Sequence, residues 1–217
     1  MKFSNEISDL VYQEYLEIEP KAYHDRIRFF ECNKKGISKL SYEQRLEISF
    51  EYTIALFEVG EYTRFLKNVD QLLAICINDN IYLNVDGEDI YQDLLFKKAC
   101  ALHNTVDFVS ADHVFSELIR INKTNHTYQR AYSRNKILLL RDSGQRIRAI
   151  VISMFLSTGL IIGFELLVVR PFFESHIQLT EYTRNGLFLA AIATMILQEL
   201  YIRFTSARSI KALTTKS

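Results

Sequence analysis

The sequence predicts an all-α protein: a cytoplasmic helical-hairpin repeat bundle followed by a two-helix transmembrane hairpin. Three observations predict it. Breakers are scarce, with two prolines (Pro20 and Pro171) and seven glycines in 217 residues, which favours long helices over strands and turns. Apolar residues in the first two thirds recur at helical spacing, as at Ile7, Leu10, Val11, Tyr15 and Ile18. The last third holds two long apolar runs of the kind that cross bilayers.

The helices of the body follow in order. Pro20 closes the first pattern, and a second helix covers residues 22–33, closed by Lys34-Lys35-Gly36. Ser41 with Gln44 forms a capping box at the head of a third, which carries Leu46, Phe50, Ile54 and Phe57 and is punctuated by Gly60. A fourth helix is expected over 61–77, then a loop bracketed by Asn78-Asp79-Asn80 and Asp86-Gly87, a fifth over 88–103 and a sixth over 107–121. The last begins at Thr127 and runs towards the first apolar segment, with Ser143-Gly144 as its soft point. Hydropathy thus divides the chain into a body, 1–140, and a membrane hairpin with a short basic tail, 141–217.

A shift of 46 residues aligns the third and fourth helices with the fifth and sixth: Leu56 meets Leu102, Glu61 meets Asp107, Tyr62 meets Phe108, Val69 meets Phe115 and Leu72 meets Leu118. On these residues the chain resembles the tetratricopeptide repeat family. The best match is Ala99, Leu102, Asp107-Phe108, Ala111 and Phe115, and a looser one is Leu56, Gly60-Glu61-Tyr62, Val69 and Leu72. Phe65 stands where that family has a small residue, no proline closes either unit, and the spacing exceeds the family's period. The resemblance covers about a third of the chain. It implies a groove for a peptide or partner helix, and therefore protein binding rather than catalysis.

Residues 149–169 read AIVISMFLSTGLIIGFELLVV, with Glu165 as the one charge. At about 1.5 Å per residue this run spans the ~30 Å hydrocarbon core. Residues 186–204 form a weaker segment, either a second span or an interfacial helix, because Gln198, Glu199 and Arg203 lie within it. The net charge is zero, but residues 1–140 hold 17 Lys and Arg against 21 Asp and Glu, while residues 141–217 hold 9 against 5. Arg141, Arg146 and Arg148 precede the first span, and Arg203, Arg208, Lys211 and Lys216 follow the second. The positive-inside rule then places both termini in the cytoplasm, at an inner or plasma membrane, with no cleavable signal at the start.

Small residues mark candidate packing faces: Ser153 and Ser157, then Gly159 and Gly163, in the first span, and Ala190 with Thr194 in the second. They serve either the hairpin itself or an oligomer. Glu165 is the costly residue; it reaches the interface, pairs with Arg170 or Arg184, or faces a pore or bundle interior. Gln198 and Glu199 are further polar groups in the second segment.

Chemistry is sparse. The acidic body gives no reason to expect nucleic-acid binding. None of the five histidines falls in a metal-ligand spacing, no phosphate loop or nucleophile elbow occurs, and no cofactor or metal is expected. Asp112-His113 are adjacent and point to different helix faces. Arg120 and His126 form an Arg-x5-His spacing that resembles the motif of a helical ribonuclease superfamily. With 14 arginines in the chain, roughly one such match arises by chance. Cys32, Cys76 and Cys100 make no CxxC pair and read as reduced thiols.

The expected function is a non-enzymatic, membrane-anchored adaptor whose partners are the bilayer and another protein or a second copy. The alternative is an oligomeric membrane-active effector or small channel gated by the helical body, as in outline in bacterial defence.

Overall fold

The structure, a computed structural model, describes residues 10–79 and 89–215. It is all-α; among the described residues there is no β-strand. The expected loop before the fifth helix lies largely outside the described residues.

The chain divides into two compact units, residues 1–122 and 123–217. In the first, a helical stretch over 10–16 (α1) is followed by α2 (Tyr23–Cys32), a single turn α3 (Lys34–Ile37), α4 (Tyr42–Glu58), α5 (Tyr62–Asn78), α6 (Ile90–Asn104) and α7 (Phe108–Ile121). The capping box at α4 is present: Ser41 Oγ accepts from the Gln44 amide at 3.3 Å, and Gln44 Oε1 accepts from the Ser41 amide at 3.3 Å. Asp89 and Asp107 cap α6 and α7, each carboxylate accepting from an amide three residues on, at 2.9 and 3.1 Å.

Helix packs on successive helix from α4 to α7, with α2 against α4. Alanines at the crossings, Ala55, Ala99, Ala101 and Ala111, are fully buried, so backbones approach closely around Leu56, Phe65, Leu94 and Phe115. A smaller cluster of Val11, Tyr15, Ile37, Leu40 and Ile48 closes the other end. Beside it lies a buried cation. Arg26 Nη1 donates to the Tyr15 hydroxyl at 3.1 Å and pairs with Glu51, and its Nε donates to the Glu19 carbonyl at 3.3 Å. The buried guanidinium is thereby both paired and hydrogen-bonded, the condition for a charge to be tolerated there.

The two hairpin turns repeat. The Glu61 amide donates to the Leu56 carbonyl at 2.9 Å, and the Asp107 amide to the Leu102 carbonyl at 3.0 Å. Gly60 holds φ of 82° in the first turn and Val106 φ of 66° in the second, the left-handed step that closes a helix C-terminus.

The second unit contains α8 (His126–Ser143), α9 (Gln145–Phe164), a five-residue π turn (Glu165–Val169), α10 (Arg170–Phe172), a 3-10 turn (Glu174–His176) and α11 (Ile177–Thr215). Asn125 caps α8 through bonds from the Thr127 and Tyr128 amides. The packing boundary lies earlier than the hydropathy boundary near residue 140, because α8 packs along the last part of α11 while α9 packs along its first part. The connection is also shorter than residues 170–185. α11 already begins at Ile177, since no proline follows Pro171 and no glycine precedes Gly186 in that stretch. Hydropathy marks where a helix is apolar, not where it starts.

Among the described residues, two helical segments are long and apolar enough to cross a membrane, Gln145–Phe172 and Ile177–Thr215. Only 17% and 11% of their most apolar windows are buried, unlike a core helix of a globular domain. Leu160 and Leu167 are each 75% exposed.

Candidate functional site

The apolar pair meets along a narrow seam. Val151, Phe155, Thr158, Glu165 and Val169 face it from one side, and Arg184, Phe188, Ala191 and Ile202 from the other; Ser206 continues the same α11 face. The steps of three and four are those of a two-helix seam. Contacts run in opposite order on the two sides: Arg184 reaches Glu165, Phe188 packs edge-on to Phe155 at 5.7 Å, Glu199 reaches Arg141 and Ser206 reaches Ser133. The helices are therefore antiparallel.

Glu165 is the buried centre of the seam's far end, 1% exposed. Arg184 Nη1 donates to its Oε2 at 2.6 Å, and Arg170 donates to its Oε1 through Nη2 at 3.1 Å and Nε at 3.3 Å. Both arginines that the sequence offers as partners are used at once. Arg170 also lies 3.9 Å from Glu181. The π turn brings this about. Pro171 has no amide hydrogen, and its ring would collide with the carbonyl four residues back in a regular helix. The wider π turn starts at Glu165, where the Arg170 amide bonds to the Glu165 carbonyl. It aligns Arg170 with the carboxylate five residues earlier. The π turn itself has no sequence signal beyond the proline.

The near end of the seam is polar in a different way. Glu199 accepts from Arg141 Nη2 at 3.0 Å and from Arg203 Nε at 2.9 Å, while Gln198 Nε2 points to the Gly144 carbonyl at 3.5 Å. Gly144 separates α8 from α9, and a Cβ there would stand 2.6 Å from Gln198 Nε2. The Arg141–Glu199 pair escapes sequence reading because the two residues are 58 positions apart.

The small-residue pairs lie off this seam. Cβ atoms built on Gly159 and Gly163 meet nothing within 4 Å. Ser153 and Ala190 are exposed, and Ser157 and Thr194 are half-buried. The Thr194 hydroxyl donates back to the Ala190 carbonyl of its own helix at 2.8 Å. The small residues inside the seam are instead Thr158 and Ala191.

In the body, of the residues that carry the tetratricopeptide resemblance, Leu56, Ala99, Ala111 and Phe115 are core, while Leu102 and Phe108 are half-buried. Tyr62 packs edge-on to Phe57 at 5.7 Å. A groove of about 360 Å³ opens beside α4 and α5, lined by Phe30, Tyr42, Arg45, Tyr52, Asn68 and Gln71 among others. Burial pushes the Tyr52 hydroxyl up from its ordinary pKa, so it remains a neutral donor and acceptor. Arg120 pairs with Glu117 at 2.7 Å in the first unit, whereas His126 opens α8 in the second. Among the described residues no group of three His, Cys, Asp or Glu side chains could hold a metal.

Compared with protein-family models, with curated proteins and with solved structures, the chain finds no significant match.

Proposed function

We propose that this protein is a membrane-anchored interaction module. The apolar pair crosses the bilayer with both termini in the cytoplasm, and the helical body recruits a protein partner through the groove beside α4 and α5. One observation carries the anchor: the intramembrane carboxylate, Glu165, is enclosed by Arg170 and Arg184, while outward-facing residues such as Leu156, Leu160 and Leu167 are apolar. A carboxylate closed off in this way stabilises a hairpin and is a poor lining for a conduit. The tyrosines, arginine and side-chain amides of the groove suit an extended or helical peptide. The tetratricopeptide-like turns fit the same role, and the reading includes no catalytic step.

The test is crosslinking in cells from a photoreactive residue placed at Gln71 of the full chain. One discrete protein adduct, lost on Arg45→Glu, supports recruitment. An intact, correctly inserted chain that yields no adduct removes it.

A second reading, the oligomeric membrane-active effector or small channel, is favoured by the open Gly159 and Gly163 face, which a second copy would cover. Mass measurement in nanodiscs with liposome leakage separates the two. A sealed vesicle and a monomer or dimer support the anchor, whereas a ring of subunits with leakage supports the effector.

A further inference from the structure

We propose that the groove between α9 and α11, lined by Arg148 and Arg203, binds one anionic phospholipid. The inference rests on the reading that the pair spans a bilayer. The groove has a volume of about 770 Å³, within the range of ligand sites. Val151, Ile152 and Phe155 form one wall, and Met195, Ile196 and Leu200 the other.

Four polar residues line the groove: Arg148, Gln198, Glu199 and Arg203. Arg148 has no ion pair or side-chain hydrogen bond among the described residues. Arg203 is held by Nε to Glu199 at 2.9 Å, so its two terminal NH₂ groups remain for another acceptor. Glu199 is already shared with Arg141. The charged lining residues are thus two guanidinium groups, Arg148 and Arg203, against one carboxylate, Glu199, an excess of one positive charge in an otherwise apolar slot. Arg148 directly precedes the apolar run that begins at Ala149, which is the depth at which lipid phosphates lie.

The chemistry selects the occupant. A phosphodiester accepts from Arg148 and Arg203, and an acyl chain lies along the apolar walls. A headgroup with its own cation, such as choline, brings like charge to a site already in positive excess, so phosphatidylglycerol is favoured over phosphatidylcholine.

Native mass spectrometry of the full chain in mild detergent, with the two lipids supplied in equal amounts, tests this. One phosphatidylglycerol is retained in preference, and Arg148→Gln or Arg203→Gln each weakens retention by about fivefold. Arg148→Gln removes no ion pair or side-chain hydrogen bond among the described residues, so its fold is expected to be preserved. Ile152→Trp fills the slot and removes both lipids. Arg208→Gln, outside the groove, changes nothing. Equal retention of the two lipids by the unaltered protein, or undiminished phosphatidylglycerol retention in Arg148→Gln or Ile152→Trp, overturns the site. Ser175→Cys, at the hairpin turn, is labelled on intact cells by a membrane-impermeant maleimide if the pair spans. Labelling combined with indifferent lipid retention overturns the groove alone, and absence of labelling overturns the spanning reading and this site with it.

Discussion

Val106 occupies, in the α6–α7 turn, the left-handed position that Gly60 holds in the α4–α5 turn, with φ of 66° against 82°. Glycine takes that conformation without strain, while a β-branched residue is an outlier there at a cost of about 1–3 kcal/mol. The Val106 side chain is 69% exposed, so little packing compensates. Val106→Gly is therefore expected to stabilise the protein by about 1 kcal/mol, after allowing for the greater freedom of glycine in the unfolded chain. Gly60→Val is expected to destabilise it by about 1–2 kcal/mol. Urea unfolding of the full chain in detergent measures both, and a destabilised Val106→Gly would mean that the exposed valine is held by contacts absent from this structure.

Glu165 lies between Arg184 and Arg170, so its removal leaves Arg184 without its carboxylate and Arg170 with only the more distant Glu181. Glu165→Ala is expected to cost about 3 kcal/mol, read as a fall in the melting temperature of the detergent-solubilised chain. Arg184→Gln costs more than Arg170→Gln, because the Arg184 side chain is 25% exposed and that of Arg170 52%. The double variant Glu165→Ala, Arg184→Gln recovers part of the loss, since it leaves fewer unpaired charges. Additive losses in that cycle would show that the pair is not coupled.

These two sites differ in how far the sequence reveals them. Glu165 stands out as a lone charge in an apolar run, and Arg170 and Arg184 are the only nearby cations in the connection, so the triad is legible from composition. The helices of the body are legible for a similar reason: Ser41, Gln44, Gly60 and Asp107 are local signals acting within one turn. Val106 at positive φ is not legible, because no local preference places valine there; only the 46-residue offset from Gly60 points to it. The seam was also out of reach. Gly159 and Gly163 satisfy a packing pattern on their own helix, yet which face meets α11 depends on Arg184, Phe188 and Ala191, residues no local rule links to α9. The Arg141–Glu199 pair is hidden in the same way.

Thiol reactivity follows from burial. Cys32 is exposed, whereas burial pushes the Cys76 thiol up and carries Cys100 to about 11. A raised pKa depletes the thiolate at neutral pH, for Cys100 by about a hundredfold relative to an ordinary cysteine. A chromogenic thiol reagent at pH 8 should titrate one fast thiol per chain, with the other two appearing on unfolding. Cys32→Ser should abolish the fast phase, and two fast thiols would contradict the packing of α5 or α6.

The Tyr15 hydroxyl is pushed well up, first by burial and then by the Glu51 carboxylate, against the opposing effect of Arg26. The folded state thus holds its proton more tightly than the unfolded state. That stability is complete below the ordinary tyrosine value near 10 and is lost as the pH rises above it, because only the unfolded chain ionises readily. Alkaline unfolding should release Tyr15 ionisation cooperatively with helix loss. Tyr15→Phe should flatten the alkaline limb of the stability profile, at the cost of the Arg26 hydrogen bond. An unchanged limb would place the alkaline sensitivity elsewhere.

Gly159 and Gly163 face open space within one chain, and each glycine in a helix interior costs up to about 1 kcal/mol relative to alanine. Gly159→Leu and Gly163→Leu should therefore be tolerated by the isolated hairpin, with an unchanged or higher melting temperature. Between copies the sign reverses, because two helices approaching through glycines need the backbone contact that leucine forbids. If the anchor reading holds, stability rises and the mass in nanodiscs is unaltered. If copies meet through this face, the same substitutions lower the oligomeric state while each chain stays folded. Melting and mass measured on one variant thus report separately on the hairpin and on its self-association.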